Sequence, residues 1–395
     1  MRRALLLFLL AWSAIAAQAA DSIAFWDTPQ RGSNCFNEKP PDAEYFRALR
    51  GYGATWVRLT FSKWKSARGR DFLFGNLDRY QALVPEDLAT LRTVLDHAHS
   101  AGLKVVVVPL SLPGARWIQM NDNVFDDRLW SDWQYWDQSA TAWRDLAAAL
   151  ADHPAIVAYN LVNEPVPERK GGLAEHSAPH VMRSWYEKAR GTPRDLPRFY
   201  AKLIDAVRES DRHTPIMLDA GYYAAAEGLS YWGGAPHADA RLLYAFHMYV
   251  PWVATSSSNL KRAEPYRYPG VVPFVGRKTR WDAERVAAHL QQPFDWARAH
   301  GVPSSRLVAG EFGCMRRWPD CPRYLDDVLT VLEKHRAHWA FYSFREAWDG
   351  MDYELGAGKL PWQYWEAAEK GQPFELERGP NPVFEPILRR LRGAR

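Results

Sequence analysis

The chain has 395 residues, 47% of them hydrophobic and 24% charged, with a formal net charge of +4. That content supports a substantial buried core, and the scattered basic residues give no electrostatic support to a nucleic-acid partner. The three cysteines, Cys35, Cys314 and Cys321, do not have the spacing of a zinc site, and neither a metal nor a cofactor is expected.

In chain order, Met1-Arg2-Arg3, an apolar stretch from Ala4 to Ile15 and the small-residue segment Ala16 to Ala20 read as a secretory signal peptide. The apolar part is shorter than the roughly 20 residues of a membrane span, so residues 21–395 are expected as a single secreted or periplasmic domain, monomeric and free of the membrane. Short apolar runs then alternate with amphipathic segments. Strands are expected at Gly32 to Phe36, Thr55 to Leu59, Lys104 to Leu110, Ile156 to Leu161, Pro215 to Asp219, Arg241 to His247, Arg306 to Glu311 and Trp339 to Ser343. Helices are expected at Asp42 to Leu49, Pro85 to Ser100, Ser139 to Ala151, Leu196 to Arg208, Asp282 to His300, Tyr324 to His335 and Pro386 to Leu391, with only a weak helical signal between Ala220 and Ala240.

Strand then helix, repeated about eight times, predicts an α/β chain whose economical closure is a (β/α)8 barrel. The rival open doubly wound sheet lacks its fingerprint, because Gly51-Tyr52-Gly53 precedes a strand instead of opening a helix after one. Phe61 to Val84, Ser111 to Asp137, Val166 to Asp195 and Pro251 to Arg280 are then long loops following strands. They wall a cleft on the C-terminal face, where such barrels carry their chemistry.

Two glutamates end strands on that face: Glu164 in Leu161-Val162-Asn163-Glu164-Pro165 and Glu311 in Val308-Ala309-Gly310-Glu311-Phe312-Gly313. On the fourth and seventh strands they face each other across the barrel mouth, compatible with the roughly 5 Å separation of retaining glycoside hydrolysis. The chain is also rich in tryptophan, 19 residues, and indole offers a flat apolar face with one donor, which suits sugar rings. Trp64, Trp117 and the segment Trp130 to Trp136 are the candidates for such contacts. The close pair Cys314 and Cys321 can form a disulfide behind Glu311, with one cysteine left over; all three as buried apolar residues is the alternative.

These residues resemble glycoside hydrolase family five and its clan A relatives, the cellulase-type barrels, from Arg31-Gly32-Ser33-Asn34 through Trp348. The resemblance implies Glu164 as general acid and base and Glu311 as nucleophile. It further implies Arg58 of Val57-Arg58-Leu59 holding the nucleophile charged, Asn163 on the sugar 2-hydroxyl, and His247 and Tyr249 of Phe246-His247-Met248-Tyr249 orienting the pair. Trp348 stands where the family places a sugar platform. One departure is the third strand end, Val108-Pro109-Leu110-Ser111, where many members carry a histidine; His97 and His99 fall in the preceding helix and do not replace it.

The expected substrate is a β-linked polysaccharide or oligosaccharide, β-glucan first and mannan second, cleaved by a two-glutamate double displacement. A secreted non-catalytic sugar-binding barrel and a transglycosylase on the same site are the alternatives, and both carboxylates being present weighs against the first. No Gly-x-Ser-x-Gly elbow or His-Glu-x-x-His helix supports a serine or metal hydrolase.

Overall fold

The computed structural model describes residues 22–346 and 348–393, so the expected signal peptide lies outside the described residues. In chain order the strands are β1 Arg31–Cys35, β2 Trp56–Leu59, β3 Lys104–Val107, β4 Ile156–Asn160, β5 Ile216–Asp219, β6 Leu242–Met248, β7 Gly270–Phe274, β8 Arg277–Trp281, β9 Leu307–Phe312 and β10 His338–Phe341. All but β7 and β8 are parallel and close into a barrel, with β10 pairing back onto β1. This is the expected (β/α)8 architecture, each expected strand lying within two residues of an observed one at its start.

Parallel strands covered on both faces are continuous apolar runs, and β2, β4, β5, β6, β9 and β10 are buried at every position. Two apolar layers result. Trp56, Val106, Met217, Leu243, Val308 and Ala340 fill the barrel, and Trp26 plugs it, its indole N–H donating to the Val157 carbonyl at 3.1 Å. A larger layer lies between strands and helices. Gly32 is required where β1 meets β2, because a Cβ there would lie 2.4 Å from the Trp56 carbonyl oxygen.

Aspartates start four of the outer helices, accepting a backbone N–H from the first turn: Asp42 before Ala43–Gly51, Asp132 before Trp133–Leu150, Asp195 before Leu196–Ser210 and Asp282 before Ala283–Ala299. The second of these begins six residues before the expected Ser139. The aromatic run ahead of Ser139 suggested a sugar-binding loop, whereas Tyr135 and Trp136 are buried on the helix's inner face with Ser139. Two expected loops also hold regular structure. Val166 to Asp195 contains the helix Pro179–Ala189, started by its proline. Pro251 to Arg280 contains the β7–β8 hairpin, whose two turn residues Val275 and Gly276 have φ of 50° and 70°, the sign that tight hairpin turns demand. The helix Trp362–Glu369 was not expected either; it is mostly exposed and lacks a continuous apolar stripe. Among the described residues no helix is long and apolar enough to cross a membrane.

Cys314 and Cys321 are joined in a disulfide with Cα atoms 5.7 Å apart, which ties the loop after β9 to the start of the helix Cys321–Lys334. Cys35 is the free, buried cysteine, and burial pushes its thiol up to about 12. The Cys314→Ser/Cys321→Ser variant is expected to lose roughly 2.5 kcal/mol of stability from the chain entropy of the closed loop. Urea unfolding of the oxidised protein and the variant measures this.

Candidate active site

At the C-terminal mouth of the barrel, Arg58 on β2 is fully buried and uses all of its donors. Its Nε donates to Asn160 Oδ1 at 2.8 Å. Nη1 donates to Asn34 Oδ1 at 3.2 Å and Glu311 Oε1 at 2.7 Å, and Nη2 to Asn163 Oδ1 at 2.9 Å and Asp219 Oδ2 at 3.1 Å. The guanidinium therefore ties together β1, β4, the turn after β4, β5 and β9. Asp219 accepts in addition from Asn160 Nδ2 at 2.9 Å and from the Glu164 backbone N–H at 3.0 Å. That last bond fixes the turn in which Glu164 takes a φ of 47°, uncommon for a residue with a side chain.

Glu311 lies within β9, in register with His247 of β6 across a local irregularity of the ladder. Its Oε2 accepts from the Tyr249 hydroxyl at 2.7 Å, while Oε1 takes Arg58. Glu164 Oε1 lies 2.9 Å from His247 Nδ1. A carboxylate oxygen from each glutamate and a ring nitrogen of His247 all fall within 4.8 Å of one another. Six of the expected residues, Arg58, Asn163, Glu164, His247, Tyr249 and Glu311, are thus one hydrogen-bonded cluster.

The same burial acts on both glutamates with different counterweights. Glu164 is pushed up to about 8, first by desolvation and then by the Asp219 charge, against a smaller pull from Arg58. Burial also raises Glu311, but the Arg58 charge and the Tyr249 hydrogen bond oppose it. A single proton shared by this pair resides on Glu164, since Glu311 has a guanidinium and a hydroxyl in direct contact with its oxygens. Burial lowers His247 and keeps its imidazole neutral. The Glu164, His247 and Glu311 donors could in principle accept a cation. Both Glu311 oxygens are already engaged, however, and the guanidinium 2.7 Å away repels a second positive charge.

A cavity of about 760 Å³ opens over the pair, walled by Phe36, Tyr222, Trp252, Tyr342 and Trp348 among others. Trp348 lines the cavity and is 44% exposed. Of the other expected aromatics only Trp117 lines the cleft. Trp64 and Trp136 are at most 3% exposed and belong to the core, Trp130 is as deeply buried but lines a smaller cavity beside the cleft, and Trp133 is exposed on its helix outside the cavity lining. They pack because their chain neighbours fold back as a helix and a tight loop under the rim. His97 and His99 sit on the helix Pro85–Ser100, away from the cleft lining. Sequence reasoning passed over Asp219, Asn160 and Asn34, the partners of Arg58. An acid ending the apolar run Ile216-Met217-Leu218-Asp219 was the same signal that singled out Glu311.

Replacing Arg58 by Met would leave Asp219 and Glu311 buried without their cation. The variant is expected to lose about 3–5 kcal/mol in urea unfolding at neutral pH. A loss below 1 kcal/mol would show that the guanidinium is not the support of this cluster.

A family model described as Cellulase (glycosyl hydrolase family 5) matches residues 19–347. No curated protein sequence gives a significant match. Among solved structures the chain is similar to Pseudomonas stutzeri endoglucanase Cel5A in complex with cellobiose, at 17% identity and a TM-score of 0.57, covering 92% of each chain. It is similar also to Thermotoga maritima Cel5A with cellobiose, at 16% identity and a TM-score of 0.61 over 91% of this chain and 96% of that one. A hyperthermophilic endo-beta-1,4-glucanase in complex with substrate gives 16% identity and 0.61 over 93% and 99%. At these identities the structural likeness concerns the fold; the family model, which spans most of the chain, makes this protein a member of glycosyl hydrolase family 5.

Proposed function

We propose that the protein is a retaining hydrolase of β-linked glucan, with Glu164 as general acid and base and Glu311 as nucleophile. The observation that carries the reading is the pair of carboxyl groups within 4.8 Å, one protonated by its surroundings and one held by a guanidinium. The His247 Nδ1 contact engages Oε1 of Glu164 and leaves its other oxygen facing the cleft to deliver the proton. Glu311 attacks the anomeric carbon, the bond to the leaving sugar oxygen breaks, and that oxygen takes the proton of Glu164. Water then attacks the glycosyl ester, giving its proton to the Glu164 carboxylate and freeing Glu311. Asn163 is fixed by Arg58 through its oxygen, which turns its amide N–H groups toward the sugar 2-hydroxyl. Tyr249 holds Glu311 in line.

The aromatic walls of the cleft and the cellobiose complexes of its structural neighbours support a glucan substrate. We place its action outside the cytoplasm, on the signal-like start of the chain and on the Cys314–Cys321 disulfide, which suits an oxidising compartment.

Glu311→Ala is expected to abolish reducing-sugar release from soluble β-glucans. Glu164→Ala should slow polymer cleavage by about 10²–10⁴-fold, the usual contribution of a general acid, while sparing the first step on dinitrophenyl glycosides, whose leaving group needs no proton. Equal losses on both substrates would remove Glu164 from the acid role. In the wild type the rate on polymer should fall as pH rises through about 8, because the raised Glu164 then loses the proton it must donate. That basic limb should vanish for dinitrophenyl glycosides, and stopped assays across pH 5 to 10 compare the two.

A further inference from the structure

A second, smaller cavity of about 180 Å³ opens off the cleft at the Asn163–Glu164 step. The two cavities share Leu110, Trp117, Asn163, Glu164 and Tyr223, but the smaller one reaches neither Glu311 nor His247. Because it touches the proton donor and not the nucleophile, it lies on the side of the leaving sugar, and its volume suits one pyranose unit. Trp117 and Tyr223 form apolar walls at its entrance. Tyr223 is held rigidly there. It stands in a left-handed turn with Tyr222 and Ala224, at φ of 57–59°, and its backbone N–H donates to the Pro165 carbonyl at 3.3 Å beside Glu164.

Four charged residues line this cavity, and three are accounted for. Arg116 is buried and saturated by Asp71 and Asp78, and Asp126 is held by Arg128. Glu164 carries its proton. The fourth, Arg169, is exposed and lies over the Phe125 ring at 4.4 Å, and among the described residues it forms no ion pair with a carboxylate. Lys170 stands 5.8 Å from the same ring centroid and adds positive charge to the rim. A guanidinium laid over a ring face, with no carboxylate partner of its own, is a ready receptor for a planar anion.

We propose that this side cavity binds a sugar bearing a carboxylate on the leaving-group side, read by Arg169, so that the preferred substrate is an acidic β-linked glycan. The inference rests on the hydrolase reading above. Its test uses a β-linked oligosaccharide with a glucuronosyl unit on the leaving-group side and the same oligosaccharide after carboxyl reduction to glucosyl. For the wild type kcat/KM is expected to favour the acidic form at least tenfold, with the ratio falling as salt rises, and Arg169→Gln should bring the ratio close to one. A wild-type ratio near one, or a ratio that survives Arg169→Gln, overturns the proposal while leaving the hydrolase intact. Calorimetric binding of both oligosaccharides to Glu311→Ala reads the same preference without turnover. Neither cleavage by the wild type nor binding to that variant would instead sink the hydrolase reading, and this proposal with it.

Discussion

The active-site end of this barrel depends on one buried cation. Arg58 is removed from water entirely and reaches five acceptors on four strands and the turn that carries Asn163 and Glu164. A buried guanidinium is tolerated only when each N–H and the charge itself are matched. Asp219 and Glu311 match the charge, and the three asparagine oxygens match the remaining donors. The spacing of the strand ends, and so the placing of both glutamates, follows from satisfying that group.

Conformational strain gathers around the same point. Glu164 has a positive φ held by the Asp219 carboxylate, and Tyr222, Tyr223 and Ala224 form a left-handed turn just after β5. Such backbone costs of order 1 kcal/mol or more per residue. The turn persists because it is clamped on several sides: Tyr223 to the Pro165 carbonyl, Tyr222 through its hydroxyl to the Leu173 carbonyl, and Ala225 by a bridge to His247. Gly221 and Gly228 lack side chains where a Cβ would lie within 2.7 Å of its neighbours. The walls of the cleft are therefore set by hydrogen bonds that begin at Glu164 and end in the loops.

The difference between the two glutamates comes from partners, not depth. Both lose hydration, which favours the neutral acid in each. Arg58 and Tyr249 contact Glu311 directly, whereas Glu164 faces a neutral imidazole and the nearby Asp219 charge. Two like residues in one pocket so acquire opposite protonation.

The barrel was legible in the sequence because eight apolar runs buried on both faces, each followed by an amphipathic segment, leave little choice of packing. Glu164, Glu311, Arg58, Asn163, His247 and Tyr249 were legible because each sits at or just past a strand end in a recognisable order. Asn160 and Asn34 gave no local sign of their role, since an amide at a strand end acquires meaning only from the guanidinium opposite it, whereas Asp219 ended an apolar run as Glu311 does. Which tryptophans reach the cleft was not legible for a related reason: indole serves core and sugar equally well, and composition does not say which. Burial of Trp64, Trp130 and Trp136, exposure of Trp348 and Trp252, the hairpin of β7 and β8, and the side cavity under Arg169 were decided by loops folding back over the rim. Those placements are sums of long-range contacts, which no local pattern of residues encodes.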